Sequence, residues 1–103
     1  NASKGIELDT LKPLSQAVAE ELPGQPFAVL SGPTLAKEIL AGLPTACSIA
    51  SSDAATCEWL QTNLSRSRMF RPHSNADVRG VELGGALKNV IAIASGFMTA
   101  KAY

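Results

Sequence analysis

Lys88 and Asn89 sit inside Val81-Glu82-Leu83-Gly84-Gly85-Ala86-Leu87-Lys88-Asn89-Val90-Ile91-Ala92-Ile93-Ala94, an otherwise largely apolar stretch. Leu83, Leu87, Val90, Ile91 and Ala94 recur at the spacing of one apolar helix face. The positions between them, among them Ala86, Ala92 and Ile93, are hardly more polar, so this helix is expected to be buried on most of its circumference. One turn away from Lys88 lie Gly84, Gly85, Ile91 and Ala92, none of which can neutralise an ammonium group. A lysine held unpaired among apolar neighbours has its pKa pushed down, towards the range useful for proton transfer. The competing reading is a lysine that snorkels from a buried helix to water. Two adjacent glycines inside a helix cost about 1 kcal/mol each relative to alanine. The usual compensation is close approach of another backbone or of a ligand.

Two more points of chemistry fall at the ends of expected strands, where ligands of α/β sheets gather. Lys4 ends the first, in Ser3-Lys4-Gly5-Ile6-Glu7. Gly32 and Thr34 end the second, in Leu30-Ser31-Gly32-Pro33-Thr34. A lysine, a glycine that permits close approach and a hydroxyl suit a small phosphorylated or hydroxylated ligand. The alternative is an ordinary strand-to-helix turn with Thr34 as a cap residue.

The elements that must position these residues alternate. Strand ends at Ser3–Glu7, a helix from near Lys12 to Leu22, and a strand at Phe27–Leu30 come first. A helix over Leu35–Ala41 with Pro33 in its first turn, a strand at Thr45–Ala50 and a helix at Ala54–Leu64 capped by Ser51-Ser52-Asp53 follow. A short strand at Met69–His73 leads through Asn75-Ala76-Asp77 into the long helix. Strands alternating with helices indicate an α/β sheet layered with helices. The one plausible boundary lies at residues 73–76, where the pattern gives way to the all-round apolar helix.

Composition narrows the function. Nine basic and nine acidic residues cancel, which leaves no basic excess for nucleic acid or an anionic membrane surface. No uninterrupted apolar run is long enough to cross a bilayer, Val90–Met98 being far too short. Cys47 and Cys57 lack metal-ligand spacing and are expected as buried free thiols. His73 has no ligand partner at suitable spacing and reads as a loop histidine, so no metal site is expected. Arg66, Arg68 and Arg71 read as a solvated edge. No Gly-x-Gly-x-x-Gly fingerprint, phosphate loop or nucleophile elbow occurs. The first residues show neither an initiator methionine nor a signal peptide, and the chain reads as an internal piece of a longer protein.

Taken together, Ser3-Lys4-Gly5-Ile6-Glu7, Leu30-Ser31-Gly32-Pro33-Thr34-Leu35-Ala36-Lys37-Glu38 and Gly80 to Ala92 closely resemble NAD(P)-dependent glycerol-3-phosphate dehydrogenase. Leu43-Pro44-Thr45-Ala46 resembles the bacterial form. The resemblance implies the later half of a Rossmann-like nucleotide-binding α/β domain over residues 1–75. Residues 76–103 would then be the first long helix of an all-helical substrate domain. It implies interconversion of dihydroxyacetone phosphate and sn-glycerol 3-phosphate with NAD or NADP, in the cytoplasm, feeding glycerophospholipid synthesis. By the same resemblance Lys88 is the catalytic acid and base, and Lys4 contacts both cofactor and substrate. Gly32, Thr34 and Asn89 would contact or orient the substrate, and Ala36 the cofactor. It implies no nucleic-acid or membrane partner and leaves room for a homodimer of the full-length protein. The last residues, from Phe97 to Tyr103, drift from the family, and Lys101 inherits no role. Two alternatives stay open: a related two-domain dehydrogenase with another small substrate, and a non-catalytic remnant serving as an interaction module.

Overall fold

The structure, a computed structural model, describes residues 1–65 and 67–101. Its order is α1 (Leu14–Glu21), β1 (Val29–Ser31), α2 (Ala36–Leu40), β2 (Thr45–Ala50), α3 (Ala54–Leu64), β3 (Phe70–Asn75) and α4 (Val78–Ala100). The strands form one sheet in the order β1-β2-β3. β2 is the central strand, parallel to β3 with Cys47 opposite Pro72 and antiparallel to β1 with Ser31 opposite Ser48. Pro72 has no N–H to donate and accordingly lies on an edge strand, its carbonyl accepting from Gln61 Nε2 of α3 at 3.0 Å.

Alternation along the strands places Val29, Ser31, Ser48 and Ala50 on one face, and Leu30, Cys47 and Ile49 on the other. The N-terminal part of α4 packs on β1 and β2 on the serine face, since Gly85 abuts Ser31. α3 covers β3 and β2 and shares a groove with Ala28 through Trp59 and Leu60, on the Leu30 side. The result is helix, sheet, helix. Val29, Cys47, Ile49, Ala50 and Cys57 form the buried core, with Pro72 buried at its edge, and both cysteines are free thiols, as expected. Burial pushes the Cys47 thiol up from its ordinary value.

The helix caps follow from sequence. Asp53 accepts from the N–H groups of Ala55 (3.3 Å) and Thr56 (3.2 Å) and starts α3. Asp77 accepts from Gly80 N–H at 2.9 Å and starts α4. α1 is different: it starts at Pro13, which has no side-chain cap to offer.

Several expectations are corrected. Ser3–Glu7 forms no strand in the described residues; Ile6 makes only an isolated antiparallel bridge with Pro13. The ladder sits at Asn1 instead, whose N–H donates to Ala28 O (2.8 Å) and whose carbonyl accepts from Leu30 N–H (2.8 Å). Bonds that straddle Val29 in this way have the parallel pattern. The second strand runs over Val29–Ser31, not Phe27–Leu30, and Pro33 stands outside α2, whose cap is Leu35. His73 lies within β3, exposed, and not in a loop. Arg68 and Arg71 are exposed, while Arg66 and residues 102–103 lie outside the described residues.

The largest correction concerns α4. None of its 23 residues is buried, and Lys88 itself is exposed, not enclosed among apolar neighbours. The reason is area. A helix of that length is about 35 Å long, whereas β1 and β2 can cover only its first turns. Leu87, Val90, Ile91, Ile93 and Phe97 are left half-exposed or more. By length and composition α4 is also apolar enough to cross a membrane, although Lys88 and Asn89 interrupt its apolar run.

A lysine-lined cleft between the sheet and the long helix

Lys4, Ser31, Gly32, Pro33, Leu35, Ser48, Val81, Gly84, Gly85 and Lys88 line a cleft of about 430 Å³. Four separate stretches of sequence meet there: the loop at Lys4, the end of β1 with the turn after it, Ser48 of β2, and the first turns of α4. The loop at Lys4 reaches the end of β1 because Lys4 Nζ donates to Gly32 O at 3.4 Å. That carbonyl also accepts from Thr34 N–H (2.8 Å) and Thr34 Oγ1 (3.4 Å). One peptide oxygen therefore gathers the lysine and the threonine. Gly32 adopts φ +149°, and a Cβ there would stand 2.9 Å from the Cys47 Cα. Its glycine is required by the backbone of β2 beneath it, and not by a ligand alone.

The two glycines of α4 divide the work. A Cβ on Gly85 would lie 2.7 Å from Ser31 Oγ and 3.4 Å from Lys4 Cγ, whereas one on Gly84 would meet nothing within 4 Å. Gly85 thus admits the sheet and the Lys4 stem against the helix. Gly84 leaves the cleft open. The expected close approach is present at Gly85; at Gly84 nothing approaches within 4 Å.

The cleft is cationic. It is lined by two ammonium groups and no carboxylate, and the one salt bridge among the described residues, Lys12–Glu20, lies elsewhere. Ser31 and Ser48 line it from the same sheet face. Such a surface suits a small phosphorylated ligand with further polar oxygens.

Of the residues singled out from sequence, Lys4, Gly32 and Lys88 are brought together here. Thr34 turns back onto Gly32 O, and neither Asn89 nor Ala36 lines the cleft. Sequence reading overlooked Ser31, Ser48 and Glu82. Ser31 and Ser48 could have been found only from strand register, which puts facing residues on one side of an antiparallel pair. Glu82 Oε1 accepts from Ser15 N–H at 2.8 Å and Oε2 from Ser15 Oγ at 2.5 Å, a contact across 67 positions that no local pattern announces.

An α/β sheet with a long lysine-bearing helix packed against one face defines an α/β class that two-domain nucleotide-dependent dehydrogenases share. Comparison with known proteins makes this specific. Residues 1–57 match the family described as NAD-dependent glycerol-3-phosphate dehydrogenase N-terminus, and residues 77–103 match its C-terminus. The chain belongs to the NAD-dependent glycerol-3-phosphate dehydrogenase family. It is 53% identical over 96 residues to "Glycerol-3-phosphate dehydrogenase [NAD(P)+]" of Edwardsiella ictaluri, covering 92% of this chain and 28% of that protein. With the protein of the same name from Serratia proteamaculans it is 55% identical over 97 residues, at the same coverages. The crystal structure of glycerol-3-phosphate dehydrogenase from Coxiella burnetii superposes with a TM-score of 0.83 at 43% identity, over 92% of this chain and 29% of that one. The Plasmodium falciparum enzyme superposes with a TM-score of 0.84 at 26% identity, over 93% and 27%. The chain therefore spans under a third of the length of the relatives it matches.

Proposed function

We propose that the protein carrying this chain interconverts dihydroxyacetone phosphate and sn-glycerol 3-phosphate with NAD or NADP, and that Lys88 is its general acid and base. The observation that carries this reading is the convergence of Lys4 and Lys88 on one cleft that no carboxylate lines. Family membership and the names of the relatives support the substrate and the cofactor.

The cleft fits the reacting end of a nicotinamide and a three-carbon phosphate: it is open above Gly84 and bordered by donors. A bound reduced nicotinamide supplies the hydride. Lys88 donates a hydrogen bond to the substrate carbonyl oxygen, stabilises the negative charge that develops there and delivers the proton. In the reverse direction it accepts the proton from the substrate hydroxyl. Lys4, held by Gly32 O, attracts the phosphate and touches the cofactor. Gly32 and Thr34 would contact the substrate, Asn89 would orient it from beside Lys88, and Ala36 would contact the cofactor. In the longer protein, residues 1–75 complete the nucleotide-binding domain and 76–103 begin the helical one; the family matches, which end at 57 and resume at 77, support that division. The exposed apolar side of α4 is then covered by the remaining helices of its own domain and not by lipid. That packing would also supply the desolvation of Lys88. A cytoplasmic enzyme that supplies glycerophospholipid synthesis, with no nucleic-acid partner and a homodimer as its assembly, completes the reading.

The test is steady-state reduction of dihydroxyacetone phosphate by the full-length protein. Lys88→Ala is expected to lower kcat by at least about 10²-fold, the scale of a positioned acid. Near-normal turnover would refute the assignment, and preference for a 2-keto acid would replace the substrate.

A further inference from the structure

Besides its packing on β1 and β2, α4 makes two contacts with distant segments just before Lys88. One is Gly85 against Ser31 and Lys4. The other lies a turn earlier, where both carboxylate oxygens of half-buried Glu82 take hydrogen bonds from Ser15, one from its N–H and one from its hydroxyl. Ser15 occupies the second position of α1, whose N-terminus has no cap from its own Pro13. A first-turn N–H left without a side-chain acceptor is what a cap residue ordinarily satisfies. Glu82 does so from another helix.

We propose that Glu82 is a positioning residue for the reaction assigned above: by capping α1 it sets the angle at which α4 leaves the sheet, and so where Lys88 stands. The inference rests on that functional reading. The geometry is that of a lever. Every described residue of α4 beyond Ala86 is exposed, so the few contacts of its first turns, those of Glu82 and Gly85 among them, fix the direction of a helix about 35 Å long. Lys88 stands one turn beyond Gly85. Release of Glu82 lets α4 pivot about Gly85, and such a pivot moves the ammonium group relative to Lys4. Misplacement of a reacting group by about 1 Å can cost up to about 10²-fold in rate. Glu82 does not line the cleft and needs no contact with substrate to act.

The test uses the full-length protein and dihydroxyacetone phosphate, in a double-mutant cycle with Lys88. Glu82→Ala is expected to lower kcat about 10-fold with KM changed less than about twofold. Glu82→Gln, which retains two hydrogen-bonding atoms for Ser15, is expected to recover most of that loss. In a Lys88→Ala background, Glu82→Ala is expected to cost no more than about twofold, because both act on one step. Additive losses in the cycle, a wild-type kcat in Glu82→Ala, or no recovery in Glu82→Gln overturn the proposal while leaving the role of Lys88 intact. Should Glu82→Ala not fold, Ser15→Ala removes only the hydroxyl bond, with a fall in kcat of about threefold expected and an unchanged kcat overturning the proposal. Failure of the functional reading looks different: it shows in Lys88→Ala alone, with Glu82 untouched.

Discussion

At the scale of single residues, the adjacent glycines of α4 give the sharpest forecast, because their surroundings differ. Alanine at Gly85 would press its Cβ to 2.7 Å of Ser31 Oγ, while alanine at Gly84 would meet nothing within 4 Å. Gly85→Ala in the full-length protein is therefore expected to lose about 1–3 kcal/mol in chemical denaturation, the range for overpacking. Gly84→Ala is expected to be neutral or to gain up to about 1 kcal/mol from helix propensity. It should instead raise KM for dihydroxyacetone phosphate, since its methyl narrows the cleft. Equal effects of the two substitutions on stability would contradict the division of labour between them. The sequence announced that this pair needed a reason. Which glycine carried which reason was set by where Ser31 arrived.

At the scale of elements, the caps decide how much acid the fold tolerates. Asp53 starts α3, and hydrogen bonds from the Thr56 side chain and from the N–H groups of Ala55 and Thr56 hold its carboxyl below the usual range. A carboxylate depressed in the folded state stabilises fully above its ordinary pKa, and that stabilisation fades as pH falls through the folded value. The Tm of Asp53→Asn is thus expected to lie below that of the parent at neutral pH, with the gap closing in strong acid. A gap that holds steady from neutral pH down to about pH 2, well under the ordinary carboxylate value, would show that the charge is irrelevant. The boundaries of β2 and α3 were legible in sequence to the residue, because turn-formers and an N-cap flank each. α1 was legible only in part. Of the apolar residues at helical spacing, Leu14 and Val18 are half-buried but Leu11 and Leu22 are exposed, and its cap lies on Glu82, far along the chain.

At the scale of the whole molecule, an apolar helix stands beside a small core. Ile91 is 67% exposed and Phe97 61%. If the rest of a helical domain covers them in the longer protein, residues 1–103 alone should self-associate through α4. Ile91→Lys with Phe97→Glu should restore a monomer in light scattering after size exclusion. The same pair in the full-length protein is expected to cost several kcal/mol, the effective penalty of burying ions. Monomeric behaviour of the unaltered segment, or full-length stability unmoved by the double substitution, would mean that α4 faces water in both.

The sequence by itself determined the family, the alternation of strands and helices, the caps of α3 and α4, and the candidacy of Lys4, Gly32 and Lys88. All of these are local: a cap, a turn or a motif is encoded within a few residues, and its physics acts over that distance. Only the tertiary structure decided that β1 runs antiparallel to β2, that Ser31 and Ser48 face the cleft, and that Thr34 folds back onto Gly32. It also decided that α4 is exposed beyond its first turns and that Glu82 is bonded to Ser15. Each of these depends on which distant segments meet, and on how much surface the sheet has to offer. Periodicity can say that a helix is apolar; it cannot say what lies against it.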